Sequence, residues 1–195
     1  MKNTDPAVFF EQIEGYVPLS EEAKREWEGL LKPRSYSRGM EFLRVGQVPR
    51  RVAFVVKGLF SQSYITDSGD TVIKYFFPEG RIAGSVPAIL MKCASNYAIV
   101  ALEDTDVLEY DYQAFRELVG KHRDIAAFYI RYLEQHWVIE KEPYEISLRH
   151  DDAKTRYEAF LKEYPALVKR LKKHHIAAYL GITPTQLSRI FFANK

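Results

Sequence analysis

The sequence predicts an α+β protein: an N-terminal β jelly-roll barrel preceded by helix, a long helix, and a C-terminal helix-turn-helix. Three observations carry this. Residues 34–111 break into short apolar runs separated by turn residues, the texture of a sandwich or barrel. Residues 115–142 return to helical spacing. Residues 174–192 read as two short helices joined by a glycine. With 195 residues, 47% of them apolar, the chain can form one fair-sized core and a small second one.

Residues 6–31 read as helix, with Ser20 capping the segment that carries Trp27, Leu30 and Leu31, and Pro33 ending it. β runs follow at 52–56, 59–65, 71–77, 97–102 and 107–110, and Asp67 to Asp70 makes a hairpin tip. Residues 86–91 fit a short helix or loop lining the barrel, with core packing as its role. Lys74, Arg81 and Lys92 read as surface charges.

In the second helical region Ile125, Tyr129, Tyr132, His136 and Ile139 recur at steps of four and three, the pattern of a coiled-coil seam. A helix this apolar must be covered, by its own barrel or by a second subunit; a homodimer is expected. Pro143 stops this helix and residues 142–150 serve as a hinge. Asp151 or Asp152 then caps a helix over 153–164 whose Tyr157, Phe160 and Leu161 face inward, and Pro165 starts the piece over 166–173.

In the last region Ile176, Ala177 and Leu180 give one helix an apolar side, and Gly181 supplies the left-handed residue that ends it. Thr183 caps the next helix and Pro184 occupies its first position, where a missing N–H costs nothing. The outward residues are Thr183, Thr185, Gln186 and Arg189, while Leu187 and Ile190 face inward. Gln can pair bidentately with adenine and Arg with guanine. An ordinary helical hairpin closing a domain fits the same spacing.

Charge is unevenly distributed. Residues 151–195 carry nine Lys or Arg against four Asp or Glu, a net of +5, whereas residues 1–150 carry 19 against 22, a net of −3. Basic charge beside a candidate reading helix is the footprint of phosphate binding, and a solvated basic face is the alternative. Lys169, Arg170, Lys172 and Lys173 form the cluster; Lys172 and Lys173 adjoin the motif. No run of about 18 apolar residues occurs and residues 1–12 lack a signal-peptide pattern, so a soluble, cytoplasmic protein without membrane association is expected.

The string I-A-A-Y-L-G-I-T-P-T-Q-L-S-R-I over residues 176–190 closely resembles the recognition region of Crp/Fnr-type transcription regulators, whose pattern runs I-A-x-x-L-G-[IVM]-[ST]-x-[ED]-[TQ]-[LV]-[SG]-R-[IL]. The barrel landmarks Gly46, Val55-Val56-Lys57-Gly58, Asp67-Ser68-Gly69, Phe77-Pro78-Glu79-Gly80 and Gly84 follow the order of that family's effector domain. The resemblance covers essentially the whole chain. It implies an effector domain at 1–112, a dimerisation helix at 113–142 and a DNA-binding domain at 143–195. It also implies a homodimer on an inverted repeat of double-stranded DNA, with reading helices about 34 Å apart, and RNA polymerase as a further partner. Arg189 and Gln186 would read bases, with Thr183, Thr185 and Ser188 supporting them.

The chain departs from the family where cyclic nucleotides bind. A Glu follows the pocket glycine in members that bind them, and an Arg precedes a Ser or Thr; here Ser85 follows Gly84, and Asn96-Tyr97 stands at the Arg position. An anion buried without a charge partner is costly, so cyclic AMP or GMP is not expected in a pocket of Gly84, Ser85, Asn96 and Tyr97. A different small-molecule effector, or none, is. Only Asn194 and Lys195 follow the second helix, so the family's β-hairpin wing is not expected.

Two other classes compete. A metal enzyme of cupin type needs histidines in the barrel, but all five lie at position 122 or later. His174 and His175, adjacent on a helix, point about 100° apart, so a basic or structural role is expected of them rather than a metal pair. Cys93 is the single cysteine, which excludes an internal disulfide or a thiolate cluster within one chain. No catalytic residues, metal site or cofactor are expected. A sensing or protein-interaction module that no longer binds DNA is the second alternative; retention of Thr185, Gln186, Ser188 and Arg189 opposes it, though Pro184 and Thr185 stand where the better-known family members often carry Arg or Glu.

Overall fold

In the computed structural model, which describes residues 4–193, two four-stranded antiparallel sheets face each other. The strands are β1 (Lys32–Tyr36), β2 (Glu41–Leu43), β3 (Arg51–Lys57), β4 (Phe60–Ile65), β5 (Thr71–Phe77), β6 (Ile82–Ala83), β7 (Ala98–Ala101) and β8 (Thr105–Asp111). One sheet runs β1-β8-β3-β6 and the other β2-β7-β4-β5, the layout of a jelly roll. The expected hairpin joins β4 to β5, closed by the Thr66 N–H donating to the Asp70 carbonyl at 2.9 Å.

Side-chain alternation explains why β3 is buried along most of its length. Ala53 and Val55 point between the sheets, toward Phe42, Phe60, Phe77, Ile99 and Val107. Val52 and Phe54 point the other way, into a second core built by helices, so both faces of this strand are covered. Gly58 follows it at φ 104°; a Cβ there would lie 2.6 Å from the Thr105 backbone, which reserves the position for glycine.

The N-terminal helix is two helices, α1 (Pro6–Glu14) and α2 (Glu21–Glu28), rather than one. Gly15 caps the first, and Pro18, which has no N–H, lies in the link. Ser20 does cap α2, accepting from the Ala23 N–H at 3.3 Å. Pro33 lies inside β1, an edge strand, where its missing N–H is tolerated. Phe9 and Trp27, both fully buried, meet edge-on with centroids 5.0 Å apart and anchor these helices to Phe54 and Tyr110.

After α3 (Val86–Met91) and β7–β8 come α4 (Tyr112–Lys121) and α5 (Arg123–Leu133), separated at the extended His122. A π-helical segment, Glu134–Ile139, and α6 (Lys141–His150) continue the rod. The expected stop at Pro143 and the hinge at 142–150 are therefore replaced by helix. The wide turn, in which the Glu140 N–H donates to the Gln135 carbonyl at 3.0 Å, resets the register. Pro143 then falls in the first turn of α6, where no N–H is required.

The C-terminal unit comprises α7 (Ala153–Glu163), α8 (Pro165–Val168), α9 (Lys173–Leu180) and α10 (Pro184–Ala193). Asp152 caps α7 through the Thr155 N–H at 2.8 Å. Tyr157, Phe160, Leu171, Ile176, Leu180 and Leu187 form its core, which continues onto Leu59, Ile73 and Phe76 on the outer side of the second sheet. The unit is thus docked on its own barrel. Asn194 and Lys195, on which the expectation of a missing wing rests, lie outside the described residues, as do residues 1–3 of the segment read for a signal peptide. No helix among the described residues is long and apolar enough to cross a membrane.

Candidate functional site

The turn between α9 and α10 has the geometry its sequence expects. Gly181 is left-handed at φ 67°, and the Ile182 N–H returns to the Ala177 carbonyl at 3.0 Å. Leu187, 2% exposed, and the half-buried Ile190 hold α10 against the unit's core. Thr183, Thr185, Gln186 and Arg189 are exposed on the opposite side and Ser188 is half-buried. Lys169, Lys172 and Lys173 are exposed, with the Lys173 ammonium 4.2 Å from the Phe191 ring.

Three of the candidate residues have partners that sequence reading missed. Thr183 and Gln186 form a reciprocal cap: the Thr183 hydroxyl accepts from the Gln186 N–H at 3.1 Å, and Gln186 Oε1 accepts from the Thr183 N–H at 3.0 Å. The signal was legible as Thr-x-x-Gln ahead of an apolar run. Arg170 belongs to an interdomain brace rather than to a free phosphate-binding cluster. It donates to both Glu79 oxygens at 2.9 Å, to Glu103, and to the Gly58 carbonyl at 2.9 Å.

The expected dimer seam divides. Ile125 and Tyr132 are buried in their own chain's core. The Tyr129 and Tyr112 hydroxyls share a hydrogen bond at 2.7 Å. His136 shares one with Tyr16 at 2.6 Å. Only Ile139 of the five, 59% exposed, faces solvent, and it is accompanied by exposed Ile130, Trp137 and Val138. Helix α4, the α1–α2 link and the barrel occupy the face that spacing alone offered to a partner, through Tyr112, Tyr16 and Ile82, so those four seam residues make their contacts within the chain.

His136 also belongs to a polar cluster that ties the rod to the barrel. Arg81, expected as a surface charge, donates to the Glu140 carboxylate and to the Tyr75 hydroxyl and touches His136. His136 Nδ1 lies 2.8 Å from Glu140 Oε1. Burial pushes the Glu140 carboxyl up, but hydrogen bonds from His136 and Arg81 outweigh it and hold the group down at about 2. Burial raises the Tyr75 hydroxyl to about 12.

Beside this cluster a cavity of about 270 Å³ opens between barrel, rod and C-terminal unit. Gln62, Lys74, Tyr75 and Phe77 form its floor, Tyr132, His136, Trp137 and Glu140 one wall, and Tyr144, Tyr164 and Tyr179 the other. A molecule there would touch all three bodies. The pocket expected from sequence lies elsewhere. Gly84 packs so closely on Val52 that a Cβ would come within 2.7 Å of its Cγ1. Ser85 is buried with its hydroxyl 3.1 Å from that of Ser95. Asn96 is exposed, and Tyr97 stacks edge-on with Tyr64 beneath Lys74. None of the four lines this cavity. The helical step from Tyr132 to His136 to Glu140 was visible in sequence; what it faces was not. No group of three or more possible metal ligands occurs among the described residues.

Residues 33–122 match the cyclic nucleotide-binding domain family. No curated protein matches the chain. FixK2 from Bradyrhizobium japonicum superposes with a TM-score of 0.71 at 19% identity, covering 84% of each chain. The c-di-GMP-responsive global regulator CLP of Xanthomonas campestris gives 0.71 at 13% identity, covering 89% of this chain and 91% of its own. Catabolite activator protein from Thermus thermophilus gives 0.57 at 18%, covering 93% and 85%. The fold is that of Crp/Fnr-type regulators, and the match to a cyclic nucleotide-binding domain covers residues 33–122.

Proposed function

From a cyclic nucleotide-binding domain set in the fold of Crp/Fnr-type regulators, we propose that this chain is a sequence-specific DNA-binding transcription regulator, not an enzyme. It acts as a homodimer on an inverted repeat in double-stranded DNA, with RNA polymerase as a further partner and a small molecule other than cyclic AMP as effector. One observation carries the reading: α10 is held by buried Leu187 while Thr185, Gln186 and Arg189 project from its first two turns into solvent. That is the placement a major-groove helix needs, with base-reading residues near the N-terminus. Arg189 reads guanine. Gln186 retains its Nε2 donor for a base after its Oε1 has capped the helix. Lys172 and Lys173 neutralise phosphates beside it.

Dimerisation uses the exposed apolar strip Ile130, Trp137, Val138 and Ile139 rather than the buried part of the seam. The effector occupies the cavity between barrel, rod and C-terminal unit. Differential contacts there would shift the balance between arrangements of the two reading helices, since a ligand moves an equilibrium only by binding its states unequally.

The test is an electrophoretic shift on duplexes enriched from a random pool. Wild type should retain an inverted repeat and Arg189→Ala should lose preference at one position per half-site, by about 1–3 kcal/mol. Equal failure of both proteins at low salt would favour the module that senses without binding DNA, a reading favoured by the diversion of Arg170 into an internal brace.

A further inference from the structure

The cavity between barrel, rod and C-terminal unit selects for charge. Four of its lining residues are ionic side chains apart from His136: Lys74, Glu140, Lys141 and Glu145. Glu140 is taken by Arg81 and His136, and Lys141 by Glu145 at 3.2 Å. Lys74 is left without an ion pair among the described residues; its ammonium lies 4.7 Å from the centre of the Tyr97 ring. Burial, with Lys141 nearby, pulls its pKa below the ordinary lysine value. A half-buried cation in that position gains from an incoming anion.

A second observation points the same way. Gln62 is 4% exposed and lines the cavity, yet its side-chain amide has no hydrogen-bond partner among the described residues. Its amide is open to the cavity, where an incoming polar atom can pair with it. The remaining lining is largely aromatic: Tyr75, Phe77, Tyr132, Trp137, Tyr144, Tyr164 and Tyr179. At about 270 Å³ the space lies just below the range of drug-sized sites and suits one or two fused rings.

We propose that the cavity binds a small aromatic carboxylate, its charge paired with Lys74, one oxygen receiving the Gln62 amide, and its flat body held between the aromatic walls. This deepens the effector reading above and rests on it only for the consequence at DNA. A single ammonium and a single amide match one carboxylate. They leave the 2′-hydroxyl and base edge of a cyclic nucleotide unpaired by these two groups, which burial would penalise.

The test uses 2-naphthoate, its uncharged amide 2-naphthamide, and cyclic AMP, each titrated calorimetrically into the full chain, with Trp137 fluorescence as a second readout. 2-Naphthoate should bind at least tenfold more tightly than either of the others. Lys74→Met should weaken 2-naphthoate by about ten- to a hundredfold and leave 2-naphthamide unchanged, and Lys74→Arg should keep the discrimination. Melting curves of both variants establish that they fold. Equal affinity for acid and amide, an unchanged ratio in Lys74→Met, cyclic AMP as the tightest ligand, or no binding of 2-naphthoate would each overturn the proposal. These outcomes are separate from the DNA shift. Failure of 2-naphthoate with the shift intact removes only the ligand class, and binding of 2-naphthoate by a chain that shifts no duplex removes only the regulator.

Discussion

The guanidinium of Arg170 lies 2.9 Å from each carboxylate oxygen of Glu79, bridging 91 positions of sequence between the C-terminal unit and the loop after β5. Glu79 also accepts from the Gly58 N–H at 2.8 Å, and Arg170 returns to the Gly58 carbonyl. A forked pair of this kind fixes orientation as well as adding energy. Both partners are partly exposed, so solvent screens the attraction, and the brace contributes about 1–2 kcal/mol to docking.

Arg170→Met should loosen the C-terminal unit from the barrel without unfolding either. Limited proteolysis should cut faster between α6 and α7, and small-angle scattering should give a larger radius. Its DNA affinity should keep the wild-type salt slope, because this arginine is spent internally. A flattened slope with unchanged proteolysis would return Arg170 to the phosphate-binding set.

Lys172 and Lys173 should behave in the opposite way. Their ammonium groups are exposed at the start of α9, and each neutralised phosphate contributes about 0.9 to the slope of log affinity against log salt. Charge reversal at both should weaken all duplexes alike and reduce the slope by about 2, measured by fluorescence anisotropy from low to moderate salt. Loss of preference for one sequence, rather than uniform weakening, would contradict the assignment.

The Thr183–Gln186 cap makes it possible to separate folding from base reading at one position. Thr183→Ala should cost about 1 kcal/mol, a fall of about 2–4 °C in Tm for a chain of this size. Gln186→Ala should lose cap and base contact together. Gln186→Glu keeps an acceptor for the Thr183 N–H but removes the amide donor. Its Tm should stay at the wild-type value while its preference for the enriched duplex disappears. A Gln186→Glu variant that keeps that preference would show that Gln186 is only a cap.

His175 gives a pH dependence of defined sign. Its Nδ1 is buried without a partner. Burial, then His174, Lys172 and Arg38, pull the ring down from the usual histidine range to about 4. The unfolded chain takes up a proton near pH 6.5 that the native chain refuses. Stability should therefore fall as pH drops from about 6.5 to about 4, by about 2 kcal/mol after allowing for solvent on the ring's open side. His175→Gln should flatten this stretch of a Tm-against-pH curve. The loss from Glu140 comes lower, between its ordinary range and about 2, and should persist in the variant.

How much of this was legible in the sequence depends on how far apart the interacting residues lie. The strands 51–57, 60–65 and 71–77, the Asp67–Asp70 hairpin and the caps at Ser20, Asp152 and Thr183 rest on bonds spanning a few positions or on alternation along one strand. So does the turn at Gly181 between α9 and α10. Local sterics and hydrogen bonding decide such features, and the residues that decide them sit side by side in the chain. That the strand region carries a single cysteine and no histidine was likewise read without coordinates.

Only the tertiary structure decided what those elements face. The 125–139 heptad was visible, but the N-terminal segment, α4 and the barrel cover most of it and leave a different strip exposed. In sequence Arg81 and Lys74 read as surface charges and Arg170 as part of the basic cluster beside the reading helix. In the fold the first grips Glu140, the second lines a cavity without a carboxylate of its own to pair with, and the third locks two units together. Each outcome depends on a partner tens of positions away or on the absence of one, and an energy set by burial and distance has no counterpart in the order of residues.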